Sequence, residues 1–242
     1  MSKADYFEDL QKRIISHPGK PIFEALRVYD MSKFVLDGNI DSLRRLICFL
    51  EDPKDIRILS VDRRTQLQWY FHDANRHIHN FLTSITTLVD HTRHLMKENF
   101  IKNEHREEYQ NKVSAIFASD PLARFLQDFR NYITHYEIPR LRLHTTVGSS
   151  SANSLSGELL IELDHLQTGF NWSAPSRKFI ETNKSNIRML KLVNDYDLKS
   201  ETFYRELTLT FQKHLGKELG EIQSMMQQSN NLWEEMTKSR RR

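Results

Sequence analysis

Between about Ser60 and Lys97, apolar residues recur at steps of three and four: Phe71, Ala74, Ile78, Phe81, Leu82, Ile85, Leu88, Val89, Leu95 and Met96. That period predicts one long helix with a single apolar stripe. Such a stripe has to be covered by other elements, so the chain is expected to be a packed, mainly helical protein.

The rest of the chain follows the same pattern. A first helix is expected over Lys3 to Ile15, ended by "SHPGKP", and a second from about Ile22 to Ser32. A third is expected after Asn39, which is placed to cap "IDSLRRLICFLE". Beyond the long helix, further helices are expected at about Glu104 to Ala118 and Pro121 to Tyr136. Asp120 caps the latter and Pro121 takes its first position. After Pro139 the period changes to two. "RLRLHTTV" and "GELLIELDHL", separated by the loop composition "GSSSANSLS", predict a β-hairpin. Helix then resumes after "FNWSAPS", with a long run from about Leu198 to Gln228. No internal repeat is present. The expectation is one domain over 1–242: N-terminal helices over 1–59, a helical core over 60–138, an inserted β-hairpin over 139–166, and C-terminal helices with a basic tail over 167–242.

Composition excludes several classes. No apolar run reaches the ~20 residues that span a membrane, and "MSKADYFEDLQKRIIS" lacks the apolar segment of a signal peptide. A cytoplasmic protein is expected. The single cysteine, Cys48, precludes internal disulfides and a thiolate zinc cluster; its apolar neighbours in "LRRLICFLE" make it read as a small buried hydrophobe. No glycine spacing matches a P-loop or a dinucleotide-binding turn, and no HExxH is present, so no cofactor is expected. His91 and His94 lie at i, i+3, but no acidic residue at matching spacing completes a set, and no metal site is expected. The net charge of +3 permits contact with nucleic acid, and the terminal "KSRRR" would add a salt-sensitive, nonspecific attraction to it.

The stretch "FLQDFRNYITHYEIP" carries chemistry. On a helix, Phe125, Leu126, Phe129, Tyr132, Ile133 and Tyr136 share one face, and Arg130, Asn131, Thr134 and His135 share the opposite one. Asn131 and His135 are i, i+4 neighbours, so the amide is placed to orient the imidazole. The cluster suits phosphodiester cleavage. A histidine moves protons near neutral pH, and a guanidinium holds two phosphate oxygens in a fork. RNA brings its own 2′-hydroxyl nucleophile. One copy offers one histidine and one arginine, whereas a twofold homodimer would supply a fuller set. On the long helix, Asp73, His77, Asn80, Ser84 and His91 form a polar stripe. It is either a solvated face or, if the helices pack side by side, part of the same cleft.

"RNYITH" resembles the Arg-polar-x-x-x-His signature of the HEPN superfamily, matched here at Arg130, Asn131 and His135. The order of a long helix, shorter helices and then the motif is also similar, over about residues 60 to 138. The resemblance implies a HEPN-like helical bundle and a metal-independent endoribonuclease that works as a homodimer. Such an enzyme would act in stress response or anti-phage defence, with an antitoxin or regulatory protein as a possible partner. In it Arg130 would hold the phosphate, His135 would transfer protons, and Asn131 would orient the histidine or the substrate. If the long helix packs beside the motif helix, Thr134, His77, Asn80 and Ser84 would line the cleft. The alternative is a noncatalytic dimeric module that binds a nucleotide, an RNA or a protein. The N-terminal helices and the hairpin depart from the family pattern. In the hairpin, Arg140, Arg142 and His144 share one face; they could guide a polyanion, although cross-strand pairing with Glu162 and Asp164 is the plainer account.

Overall fold

Helix α1 (Lys3–Ser16) begins at a capping box, in which the Asp5 amide donates to the Ser2 hydroxyl and the Ser2 amide donates to the Asp5 carboxylate. The computed structural model describes residues 2–56, 64–97, 103–147, 155–166 and 169–239. Within them follow α2 (Gly19–Glu51), α3 (Arg64–Lys97), α4 (Asn103–Val113), a π-helical turn (Ser114–Ala118) and α5 (Pro121–His135). The second half contains β1 (Leu141–Val147), β2 (Leu155–Glu162), α6 (Leu163–Leu166), α7 (Ala174–Thr182), β3 (Asn186–Arg188) and α8 (Met189–Ser239). The protein is mainly α with a small antiparallel sheet.

Sequence reasoning divides α2 at Asn39, but the helix runs through Gly38 and Asn39 without a break. Periodicity explains why. Tyr29, Leu36, Ile40, Leu43, Ile47 and Leu50 keep one buried stripe across the join. A mid-helix glycine costs ~1 kcal/mol, and each buried Leu or Ile returns ~1.5–3 kcal/mol, so packing wins. The Asn39 side chain, freed from capping, donates to the Asn80 carbonyl of α3 at 3.5 Å. Cys48 lies one residue round from Ile47 and is exposed, not buried.

Helix α3 packs along α2 and supplies Ala74, Ile78, Phe81, Leu82, Ile85, Leu88, Leu95 and Met96 to the core, as its period predicts. Its first expected residues, 60–63, lie outside the described ones, as does the hairpin tip over 148–154. Helix α8 is far longer than the Leu198 to Gln228 run, at 51 residues, and Gly216 and Gly220 do not end it. It crosses α2 and covers α1, where Leu10 and Ile14 meet Ile222. Gly19 permits that approach, because a Cβ there would stand 2.8 Å from the Glu218 carbonyl oxygen.

The hairpin pairs β1 with β2 in the register Leu143↔Leu159, and a third strand unforeseen in the sequence, β3, pairs with β2 through Ile161↔Ile187. Three residues are too short a run to show a period. The second strand ends at Glu162, so the expected run to Leu166 is shorter; Leu163 and Leu166 turn inward as α6. Leu159 and Ile161 bury one face of the sheet in the main core.

Candidate functional site

Helix α5 is oriented by its inner face. Asp120 caps it, accepting from the Ala123 amide at 2.9 Å, and its other carboxylate oxygen is ion-paired with Lys199 of α8. Phe125, Phe129 and Tyr132 are fully buried. Trp172 stacks on Phe125 and Tyr132 with ring centroids at 5.6 and 5.5 Å, and its indole N–H donates to the Leu166 carbonyl at 2.6 Å. Asp128 reaches the start of α7, accepting from the Ser173 amide at 3.0 Å and the Ser176 hydroxyl at 2.6 Å. These contacts leave α5 little freedom to rotate.

The opposite face therefore presents the motif. Asn131, Thr134 and His135 are exposed, and Arg130 is half-buried. The Arg130 Nε is shut away from water without a partner, while its Nη1 donates to the Asn131 Oδ1 at 3.2 Å. Thr134 donates to the Arg130 carbonyl at 2.8 Å. Arg44, Arg76 and Arg188 each pair with a carboxylate, but no ion pair engages Arg130 among the described residues. Asn131 bonds the guanidinium rather than the imidazole. The expected Asn131–His135 contact is thus not formed, and His135 stands at the end of the helix with no side-chain hydrogen bond among the described residues.

The polar stripe of α3 is divided. Ser84 is 4% exposed and donates to the Phe81 carbonyl at 2.8 Å, so it does not line a cleft. A hydroxyl bonded within its own helix is compatible with the core, which a sequence pattern cannot distinguish from a solvated serine. His91 is likewise turned inward, to Ser32 of α2. Asn80 is half-buried and carries the Asn39 bond on its backbone. The expected cleft residues are not joined to the motif: no hydrogen bond or ion pair links His77, Asn80 or Ser84 to it among the described residues.

Burial holds the His77 imidazole below the ordinary histidine range, aided by the neighbouring Arg76 cation, and its Nδ1 is buried without a partner. Protonation therefore opposes folding. Stability from His77 should be fully present above pH ~6.5 and be lost as pH falls through the lower folded value. In denaturant titrations across pH, His77→Gln should flatten that part of the acid limb; an unchanged profile would refute the assignment.

Two groups near the motif are not evident from the sequence pattern. The Tyr132 hydroxyl donates to Glu137 at 3.2 Å, and burial, with the Glu137 charge, pushes it up to about 12. Arg140 lies close enough to counter that shift, so the first residue of the expected basic face stands near the C-terminal end of α5. Arg142, in contrast, is taken up by Glu162 at 3.6 Å and Asn186 at 3.3 Å, as cross-strand pairing predicts, although Asp164 is exposed on α6 and does not join. Among the described residues no His, Cys, Asp and Glu side chains gather as a metal-ligand group, and no helix is long and apolar enough to cross a membrane. Comparison with family models, with curated proteins and with solved structures returns no match.

Proposed function

We propose that this protein is a metal-independent endoribonuclease of the HEPN type, acting as a homodimer. The observation that carries the reading is the outer face of α5. It presents an arginine without a carboxylate partner among the described residues and an exposed histidine five residues further on, on a helix whose inner face is locked. In this reading His135 takes the proton of a 2′-hydroxyl, whose oxygen attacks the adjacent phosphorus. The 5′-oxygen leaves with a proton from the second copy's histidine, giving a 2′,3′-cyclic phosphate and a 5′-hydroxyl. Arg130 and Arg140 supply positive charge to the phosphate oxygens. An antitoxin or other regulatory protein would hold such an activity in check.

The test is incubation of purified protein with single-stranded RNA in EDTA. Cleavage to cyclic-phosphate ends is expected, with no cleavage of DNA or 2′-O-methyl RNA. Sedimentation at micromolar concentration should show a dimer, and a strict monomer that still cleaves RNA would sink the composite site. A noncatalytic binding module is the second reading, and one observation favours it: His135 lacks the orienting bond from Asn131. Binding of RNA without cleavage would establish it.

A further inference from the structure

A cavity of about 380 Å³ lies among α3, α4, the π-helical turn, α5 and α8. Ile85, Val89, Val113, Phe117 and Phe203 make its walls apolar, while Arg93 and Arg124 stand against a single acidic lining residue, Asp90. Arg93 gives one N–H to Asp90 at 3.3 Å and Arg124 gives one to Gln127 at 2.7 Å, and each guanidinium has further donors. The size and the mixture of apolar wall with a few polar groups are those of a small-molecule site.

Two buried phenols make the cavity unusual. Tyr109 and Tyr196, 9% and 3% exposed, both line it, and neither hydroxyl has a hydrogen bond among the described residues. A third tyrosine, Tyr204, also lines the cavity. Neither the Tyr109 nor the Tyr196 hydroxyl is among the enclosed, unpartnered side-chain atoms, so each keeps access to the cavity and is available to a ligand. The π-helical turn supplies Phe117 and Ala118 to the wall, and such turns concentrate at functional sites.

We propose that this cavity binds a small amphipathic anion. Its aromatic or short aliphatic body rests on Val89, Phe117 and Phe203, one oxygen meets the Tyr196 hydroxyl, and its carboxylate faces Arg93 and Arg124. The site is separate from the motif, but both lie on α5. Ala123 and Gln127 line the cavity, and Arg130 and Thr134 continue the same i, i+4, i+7, i+11 row. The proposal does not depend on the ribonuclease reading.

Calorimetry on the full chain tests it, with 4-phenylbutyrate as the probe and 4-phenylbutan-1-ol as its uncharged counterpart. Saturable binding of the acid at one site is expected, with the alcohol ~10- to 100-fold weaker for loss of the charged hydrogen bonds. Tyr196→Phe should weaken the acid about five- to tenfold and leave the melting temperature of the unliganded chain nearly unchanged, because the hydroxyl makes no bond to the protein among the described residues. Ala118→Trp fills the cavity from an exposed position and should abolish binding. Absence of saturable binding at millimolar acid, equal binding of acid and alcohol, or full binding by Ala118→Trp would overturn the site. A lowered melting temperature in Tyr196→Phe would show the hydroxyl to be structural and overturn its role.

Discussion

Replacing His135 by alanine should lower RNA cleavage by ~100- to 10,000-fold, the range that general acid–base catalysis contributes. The same change should move the melting temperature by no more than ~2 °C, because the side chain is exposed and bonded to nothing described. The pairing of these two outcomes is what distinguishes a presented catalytic histidine from a structural one. Arg130→Lys should also fail, since an ammonium cannot reproduce a two-pronged hold on phosphate. Its stability readout differs from that of His135, because Arg130 is half-buried and bonded to Asn131. Wild-type protein that leaves RNA intact, or cleavage that survives both substitutions, would sink the enzyme reading in favour of the binding module.

Trp172→Ala should have the largest effect on stability, a loss of ~3–5 kcal/mol, as for other buried large-to-alanine changes. In a chain of 242 residues that corresponds to a fall in melting temperature on the order of 10 °C. Trp172 touches Phe125, Tyr132 and Phe170, and its N–H satisfies the Leu166 carbonyl, so truncation leaves both a cavity and an orphan acceptor. Trp172→Phe retains most of the packing and should cost only part of that. Equal losses for the two variants would place the stabilisation in the indole hydrogen bond rather than in ring volume. Because Trp172 backs α5, the alanine variant should also raise hydrogen exchange along 125–136. Unchanged protection there would mean that the motif helix is held by other contacts.

Helix α5 is almost wholly legible in the sequence. The Asp120 cap, Pro121 at its first position and the burial of Phe125, Leu126, Phe129 and Tyr132 all follow from local chemistry and a 3.6-residue period. Its outer face follows too, so the exposure of His135 and Asn131 is readable from the same period. The i, i+4 spacing of Asn131 and His135 is not enough to join them: the Asn131 amide oxygen accepts from Arg130, and no bond to the imidazole forms among the described residues. Spacing reports which groups share a face and not which of two donors an acceptor takes.

The sequence by itself determined the helical class, the long helix α3, the hairpin and the polar arc of α5, since each is a local periodicity or a local cap. Tertiary structure alone decided the continuity of α2 through Gly38, where a shared buried stripe outweighs a local helix-breaking preference. It decided the reach of α8 through Gly216 and Gly220, and the third strand, whose three residues are held by β2 rather than by any pattern of their own. It also decided which polar residues of α3 meet water. Ser84 and His91 carry the same polar letters as an exposed stripe, yet Ser84, bonded to the Phe81 carbonyl, is buried, and His91, bonded to Ser32 of α2, is half-buried. Burial of a polar group depends on where its hydrogen-bond partner lies, and a partner contributed by another helix exists only once the helices have packed.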